Sequence, residues 1–336
     1  MNDLADMSLI AVYSAAVVYT LAFIVYTLDL AKRSARPTAA VQEREAVLAG
    51  AGAAAAGAAA AGASDAPGAS VSPYRPEQRD GGATGPADRR YQRVAFALTA
   101  LAWVIHAGAV LLRGFAAERV PWANMFEFAL TGTAIIAGVF LLVQVWRDLR
   151  FLGAYITGMV VLLLVSATMN FYVDVAPLPP ALQSAWLVVH VLVAILATGF
   201  FAVGAGLSIV QLLQHRRDLA GGETKLGFLR TMPSAETLET LANRVIIVGF
   251  VFWTFTLIFG AIWASFAWGR YWGWDTKEVW TFVIWVVFAG YIHARATRGW
   301  AGTRSAWLAL IGFAAVLFNF TVVNLFFKGL HAYSGL

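Results

Sequence analysis

Between two long apolar runs, Trp268-Gly269-Arg270-Tyr271-Trp272-Gly273-Trp274-Asp275 sets three tryptophans among glycines and closes on an acid. Trp280 and Trp285 follow, so five of the chain's 13 tryptophans cluster here. Indole rings are large, stiff apolar faces with one N–H each, and glycine lets a backbone approach a flat partner closely. One reading is a platform for a large planar ligand. The other is an interfacial belt, since tryptophan gathers at the headgroup level of membrane proteins generally.

The chain has five histidines. His190 lies one helical turn after Trp186, on the same face. His331 stands in the C-terminal Lys328-Gly329-Leu330-His331-Ala332-Tyr333, His106 and His293 lie within apolar runs, and His215 sits among glutamine and arginine as a solvated loop residue. Taken singly, His190 reads equally as a hydrogen-bonded helix histidine and His331 as a tail residue. A pair of imidazoles flanking an aromatic surface is also what haem requires, because two nitrogens ligate the iron from opposite faces of the ring. That reading needs His190, His331 and the Trp-rich loop on one side of a membrane.

The elements that would position them are apolar spans. With 60% hydrophobic and 13% charged residues and a mean hydropathy of +0.69, the 336-residue chain reads as all-α and polytopic, not soluble. Eight segments approach the ~20 residues needed to cross hydrocarbon: about 7–28, 93–113, 126–146, 150–168, 185–210, 244–265, 278–296 and 305–327. Asp3 and Asp6 precede the first and Lys32, Arg33 and Arg36 follow it. This is the reverse of a signal peptide and reads as an uncleaved anchor over 1–30, N-terminus outside. Residues 31–92, rich in alanine and glycine, read as a flexible cytoplasmic linker. The remainder, 93–336, forms a seven-helix core carrying an external Trp-rich loop at 266–280. This threading puts 19 of the 24 lysines and arginines on the cytoplasmic side, a strong positive-inside bias. It also places both termini, His190, His331 and the loop outside. The formal charge of +5 is thereby accounted for by topology, with no nucleic-acid partner. Without cysteine the chain has neither disulfide nor thiolate ligand.

Ionisable groups inside spans are costly and are functional candidates by default. His106 is seven residues from Arg113, about 10 Å along a helix, and His293 is fifteen from Glu278, about 22 Å. They therefore pair poorly across one upright haem. His293 is expected to share an intramembrane haem with a histidine of a companion subunit. His106 is either a further haem contact or hydrogen-bonded to a neighbouring helix. Asp275-Thr276-Lys277-Glu278 has capping-box spacing, and Asn124 before Glu127 is a second cap-like turn. Ser234, with Glu236, Leu238, Glu239 and Leu241, predicts a short amphipathic helix lying on the membrane surface.

With these residues set out, the chain resembles the CcsA/ResC family of System II cytochrome c biogenesis, part of the haem-handling group named for its tryptophan-rich WWD loop. The resemblance rests on Trp268 to Asp275 with Lys277, Glu278 and Trp280, on Tyr291-Ile292-His293-Ala294-Arg295, on Gly329 to Tyr333, and on Pro121 to Glu127. It covers about 93–336. Thr276 stands where proline is common and Ala332 where serine is common. The resemblance implies a holocytochrome c synthase, active with a ResB/CcsB-type partner in the cell membrane. Haem b would pass through an intramembrane site at His293 to the external face, where His190 and His331 ligate its iron. Trp268, Trp272, Trp274 and Asp275 would hold the porphyrin for thioether attachment to the Cys-x-x-Cys-His of an apocytochrome c. A haem transporter or chaperone without ligase activity, and a b-type electron-transfer cytochrome, remain as alternatives; the latter expects paired histidines at matched depth within spans.

Overall fold

The computed structural model of the protein describes residues 2–35, 90–221, 225–297, 300–327 and 329–331. Most of the linker, together with Lys328, Ala332 and Tyr333, lies outside the described residues. Eight helices are long and apolar enough to cross a membrane, and no strand occurs among the described residues. They are α1 (Asn2–Ser34), α2 (Arg90–Ala117), α3 (Met125–Val143), α4 (Gly153–Asn170), α5 (Ala185–Leu219), α6 (Ala235–Trp268), α7 (Thr276–Ala296) and α8 (Thr303–Phe320). A single further turn, α9 (Val322–Phe326), follows α8. The chain is a multi-pass helical membrane protein.

α3 and α5 are the inner helices: 72% and 56% of their most apolar windows are buried, against 22% for α7. The small residues Ala197, Gly199, Ala202, Gly204 and Ala205 are buried along α5, and they let α3, α6 and α8 pack against it. Close approach through small residues is how helices associate where lipid competes on equal apolar terms. α1 packs along α2 and α4 with Ala15, Tyr19 and Ala22 fully buried.

The sequence places most boundaries within a few residues, but span five, read as ending near 210, continues to Leu219, so His215, read as a loop residue, lies in the last turns of α5. The segment after Ser234 is no separate surface helix. Ser234 does cap it, its side chain accepting from Thr237 N, but the helix runs unbroken to Trp268. Nothing between Ala235 and Val248 breaks a helix, and Leu238 is fully buried. Glu239 is buried as well, with Oε1 accepting from Gly302 N at 2.7 Å and Ser305 Oγ at 3.1 Å and pairing with Arg295. That carboxylate ties α6, α7 and α8 together at the end of the bundle opposite His331. The last span, read as 305–327, is Thr303–Phe326, with a turn at Thr321 between α8 and α9.

At the His331 end a second carboxylate organises the packing. Glu127 follows the Asn124 cap, which accepts from its backbone N at 2.9 Å. Its side chain is fully buried between Arg113 (3.1 Å) and Arg119 (2.7 Å). Those two arginines also donate to Val173 O and Ala176 O, which fastens the 171–178 connection over the bundle end. More than the helix dipole therefore holds Glu127.

Candidate functional site

A cavity of about 210 Å³ opens among α3, α5, α6, α7 and α8 at the His331 end, and both His190 and His331 line it. One face of α6 contributes Trp253, Thr256, Gly260 and Trp263, spaced by three, four and three residues. That spacing is a single helical stripe. α3 contributes Met125, Phe128 and Ala129, and α8 contributes Val316, Leu317 and Phe320. The walls are thus largely apolar, with a few polar groups converging on them.

His190 reaches across from α5, and its Nδ1 lies 2.9 Å from Thr256 O on α6. A helix carbonyl is normally covered by the side chain one turn further on, because side chains lean toward the N-terminus. Here that position is Gly260. A Cβ there would stand 2.7 Å from His190 Cε1 and 2.9 Å from Nδ1, so the glycine is what admits the imidazole. The ring then stacks on Trp263, centroids 5.8 Å apart and planes 16° apart.

His331 is held by the Trp-rich loop. Its Nδ1 lies 2.9 Å from Asp275 Oδ1, and Asp275 Oδ2 accepts from Leu330 N at 2.9 Å. At Gly329 a Cβ would meet that carboxylate at 2.2 Å, so the tail can close on Asp275 only through glycine. The imidazole stands edge-on to Trp268 at 4.8 Å and Trp263 at 5.5 Å. Asp275 also caps α7 in a capping box with Glu278. Glu278 Oε2 accepts from Gly273 N at 2.8 Å and Asp275 N at 3.0 Å, which fixes the loop's exit. The His331 contact outweighs burial and holds the Asp275 carboxyl down at about 2. It is therefore ionised, an acceptor only.

The chemistry follows from these partners. A backbone carbonyl and a carboxylate can only accept, so each imidazole carries a proton on Nδ1, and in its neutral form each presents the lone pair on Nε2. Neither Nε2 is hydrogen-bonded to a described residue. A metal-ligating histidine shows this form, with the second nitrogen donating to an oxygen that sets orientation and basicity. The donor set suits an iron-porphyrin.

The expected residues are distributed unevenly. His190, His331, Trp268, Trp272 and Asp275 come together, with Trp272 lining the cavity. Trp274 is 76% exposed and meets Trp272 edge-on. His106 lies away from the cavity, fully buried, with Nε2 2.9 Å from Leu130 O and Tyr19 against its ring; hydrogen bonding to a neighbouring helix describes its surroundings. His293 is exposed near the far end of α7. The sequence reading overlooked Thr256, Gly260 and Trp263. Their stripe on α6 was the available signal.

The fold defines a polytopic helical protein with a largely apolar cavity, lined by two histidines, at one end of its bundle. A sequence profile described as "Cytochrome C assembly protein" matches residues 94–331, and the chain belongs to that family. It is 36% identical to the cytochrome c biogenesis protein CcsA of Guillardia theta over 234 residues, which covers 64% of this chain and 77% of the relative. The CcsA of Gloeobacter violaceus is 30% identical over 288 residues, 71% and 85% of the two chains. Among solved structures, the cytochrome c haem lyase CcmF shares the fold, with a TM-score of 0.60 at 16% identity, over 94% of this chain and 46% of that one.

Proposed function

We propose that the chain matures c-type cytochromes by holding haem b as substrate between His190 and His331 and presenting it for covalent attachment. One observation carries the reading: both imidazoles line one cavity, each with Nδ1 committed to an oxygen acceptor and Nε2 left for iron. The names of the relatives, cytochrome c biogenesis proteins and a haem lyase, agree with it. The haem supplies the vinyl groups that accept the cysteines of an apocytochrome Cys-x-x-Cys-His motif. Each thiol adds across a vinyl double bond, so an S–C bond forms, the S–H bond breaks and the hydrogen goes to the other vinyl carbon. No net electron transfer is needed, and the protein's task is placement.

Thr256 and Asp275 orient the two ligands, and Trp263, Trp268 and Trp272 supply the apolar surface beside the ring. The cavity is smaller than the ~300–1,000 Å³ of pockets that enclose drug-sized ligands. A porphyrin would therefore keep an edge outside it, near exposed Tyr271 and Trp274, where an apocytochrome can reach. The positive-inside tally supports an orientation with this end outside the cell membrane. His293, exposed at the other end, would ligate a second haem together with a histidine of a ResB/CcsB-type subunit on its way outward.

The test is reconstitution of the chain with and without that subunit, followed by assay of thioether formation on an apocytochrome bearing Cys-x-x-Cys-His. Attachment that requires this chain and is lost in His190→Gly and His331→Gly, with partial rescue by imidazole, supports the proposal. Haem binding with no attachment under either condition reduces the role to a haem carrier.

A further inference from the structure

We infer that Lys277 anchors a propionate carboxylate of the bound haem. The inference deepens the haem-presentation reading and rests on it. Among the described residues lining the cavity, Lys277 is the sole lysine or arginine. It lies in the first turn of α7, and its backbone N donates to Asp275 Oδ1 at 3.1 Å. The oxygen that fixes His331 thus also fixes the start of the helix bearing Lys277. The two side chains are neighbours, and they line a second, small recess with Asp275 and Asn324.

The ammonium feels the Asp275 carboxylate, but no carboxylate among the described residues lies within ion-pair distance of it. Nζ contacts Asn324 Oδ1 and, at 3.5 Å, Asn319 O, and it forms no ion pair with a described residue. The nearby carboxylates are committed elsewhere: Asp275 to His331 and Leu330, Glu278 to the loop backbone and Arg270. Arg270 does not line the cavity and lies over Trp268 instead. A cation against apolar walls is costly unless an anion joins it. Haem brings two carboxylates with the same need on its otherwise apolar rim. Iron bound at His331 would put that rim within the same compartment as Lys277. The pairing would also choose among the rotations of the near-symmetric ring about the iron axis, and so decide which edge carries the vinyl groups toward the incoming thiols.

The experiment titrates the purified full-length chain with haem and with haem dimethyl ester, which keeps the ring and iron but lacks the carboxylate charges. Binding is followed by the Soret band. The unaltered chain is expected to bind haem about 10- to 100-fold more tightly than the ester, the range of one charge-assisted hydrogen bond. Lys277→Met should lower haem affinity to that of the ester and leave ester affinity unchanged, and Lys277→Arg should retain a preference for haem. Equal affinity of the unaltered chain for both ligands overturns the inference without any variant. So does a Lys277→Met chain that weakens equally toward both, which is a structural effect. Failure of the unaltered chain to give an imidazole-ligated Soret band with either ligand overturns the haem site itself, and the inference with it.

Discussion

Gly260→Ala is a one-methyl test of the ligand geometry. The new Cβ would lie 2.7 Å from His190 Cε1, about 0.7 Å inside the 3.4 Å at which ordinary contact begins. The imidazole must shift by a comparable distance, and its 2.9 Å hydrogen bond to Thr256 O is stretched or lost. For the fold, opposing effects nearly cancel. Alanine in place of an interior helix glycine gains about 1 kcal/mol, while overpacking costs about 1–3 kcal/mol. Net destabilisation should stay within about 2 kcal/mol. The ligand has no such compensation. Disturbing the group that orients a metal-bound histidine weakens binding by about 10–100-fold. The variant should therefore insert and fold yet bind haem about 10–100-fold more weakly in a Soret titration, with partial recovery on adding imidazole. In a His190→Gly background the same alanine should have no further effect on haem affinity, because the clash has been removed. Unchanged affinity in the single variant, or an equal loss whether or not His190 is present, would refute the reasoning.

Asp275→Asn keeps a good N-cap for α7 but replaces the carboxylate that accepts from His331. Stability measured by denaturation in detergent should change by no more than about 1 kcal/mol, while haem affinity falls by about 10–100-fold. Glu127→Gln removes the negative member of a buried cluster with two arginines and should destabilise the chain by about 3–5 kcal/mol. This would be seen as a lowered midpoint of unfolding with or without haem. His106→Leu exchanges one interhelical hydrogen bond for apolar packing and also removes a buried Nδ1 without a partner. Stability should move by about 1 kcal/mol or less, and haem content, measured as a pyridine haemochrome, should be unchanged.

Much of this was legible in the sequence because membrane insertion makes span length and composition strong signals. All eight long helices were marked by apolar runs alone. The caps at Ser234 and Asp275 were legible from residue type and spacing, since capping is a local effect. The start of α6 was not, because an amphipathic surface helix and the buried entry of a long span share the same pattern near Leu238 and Glu239. Only the packing of Glu239 on Gly302, Ser305 and Arg295 separates them. At the site, His190, His331 and the tryptophans announced themselves by type. The groups that orient them were harder to see. Thr256 contributes a backbone carbonyl, which carries no sequence signal, and Gly260 contributes the absence of a side chain. Both gain meaning only once α5 and α6 are packed together. Trp263 read as another apolar residue of its span until its ring was found to touch both histidines.

The most direct test of the central claim is the ligation state of haem in the chain carrying both His106→Leu and His293→Leu, by low-temperature electron paramagnetic resonance of the ferric form. With only His190, His215 and His331 left, the account predicts a low-spin bis-imidazole signal, lost when either His190 or His331 is also replaced by glycine. Loss of that signal in the double variant, or its survival without His190 or His331, would contradict the account.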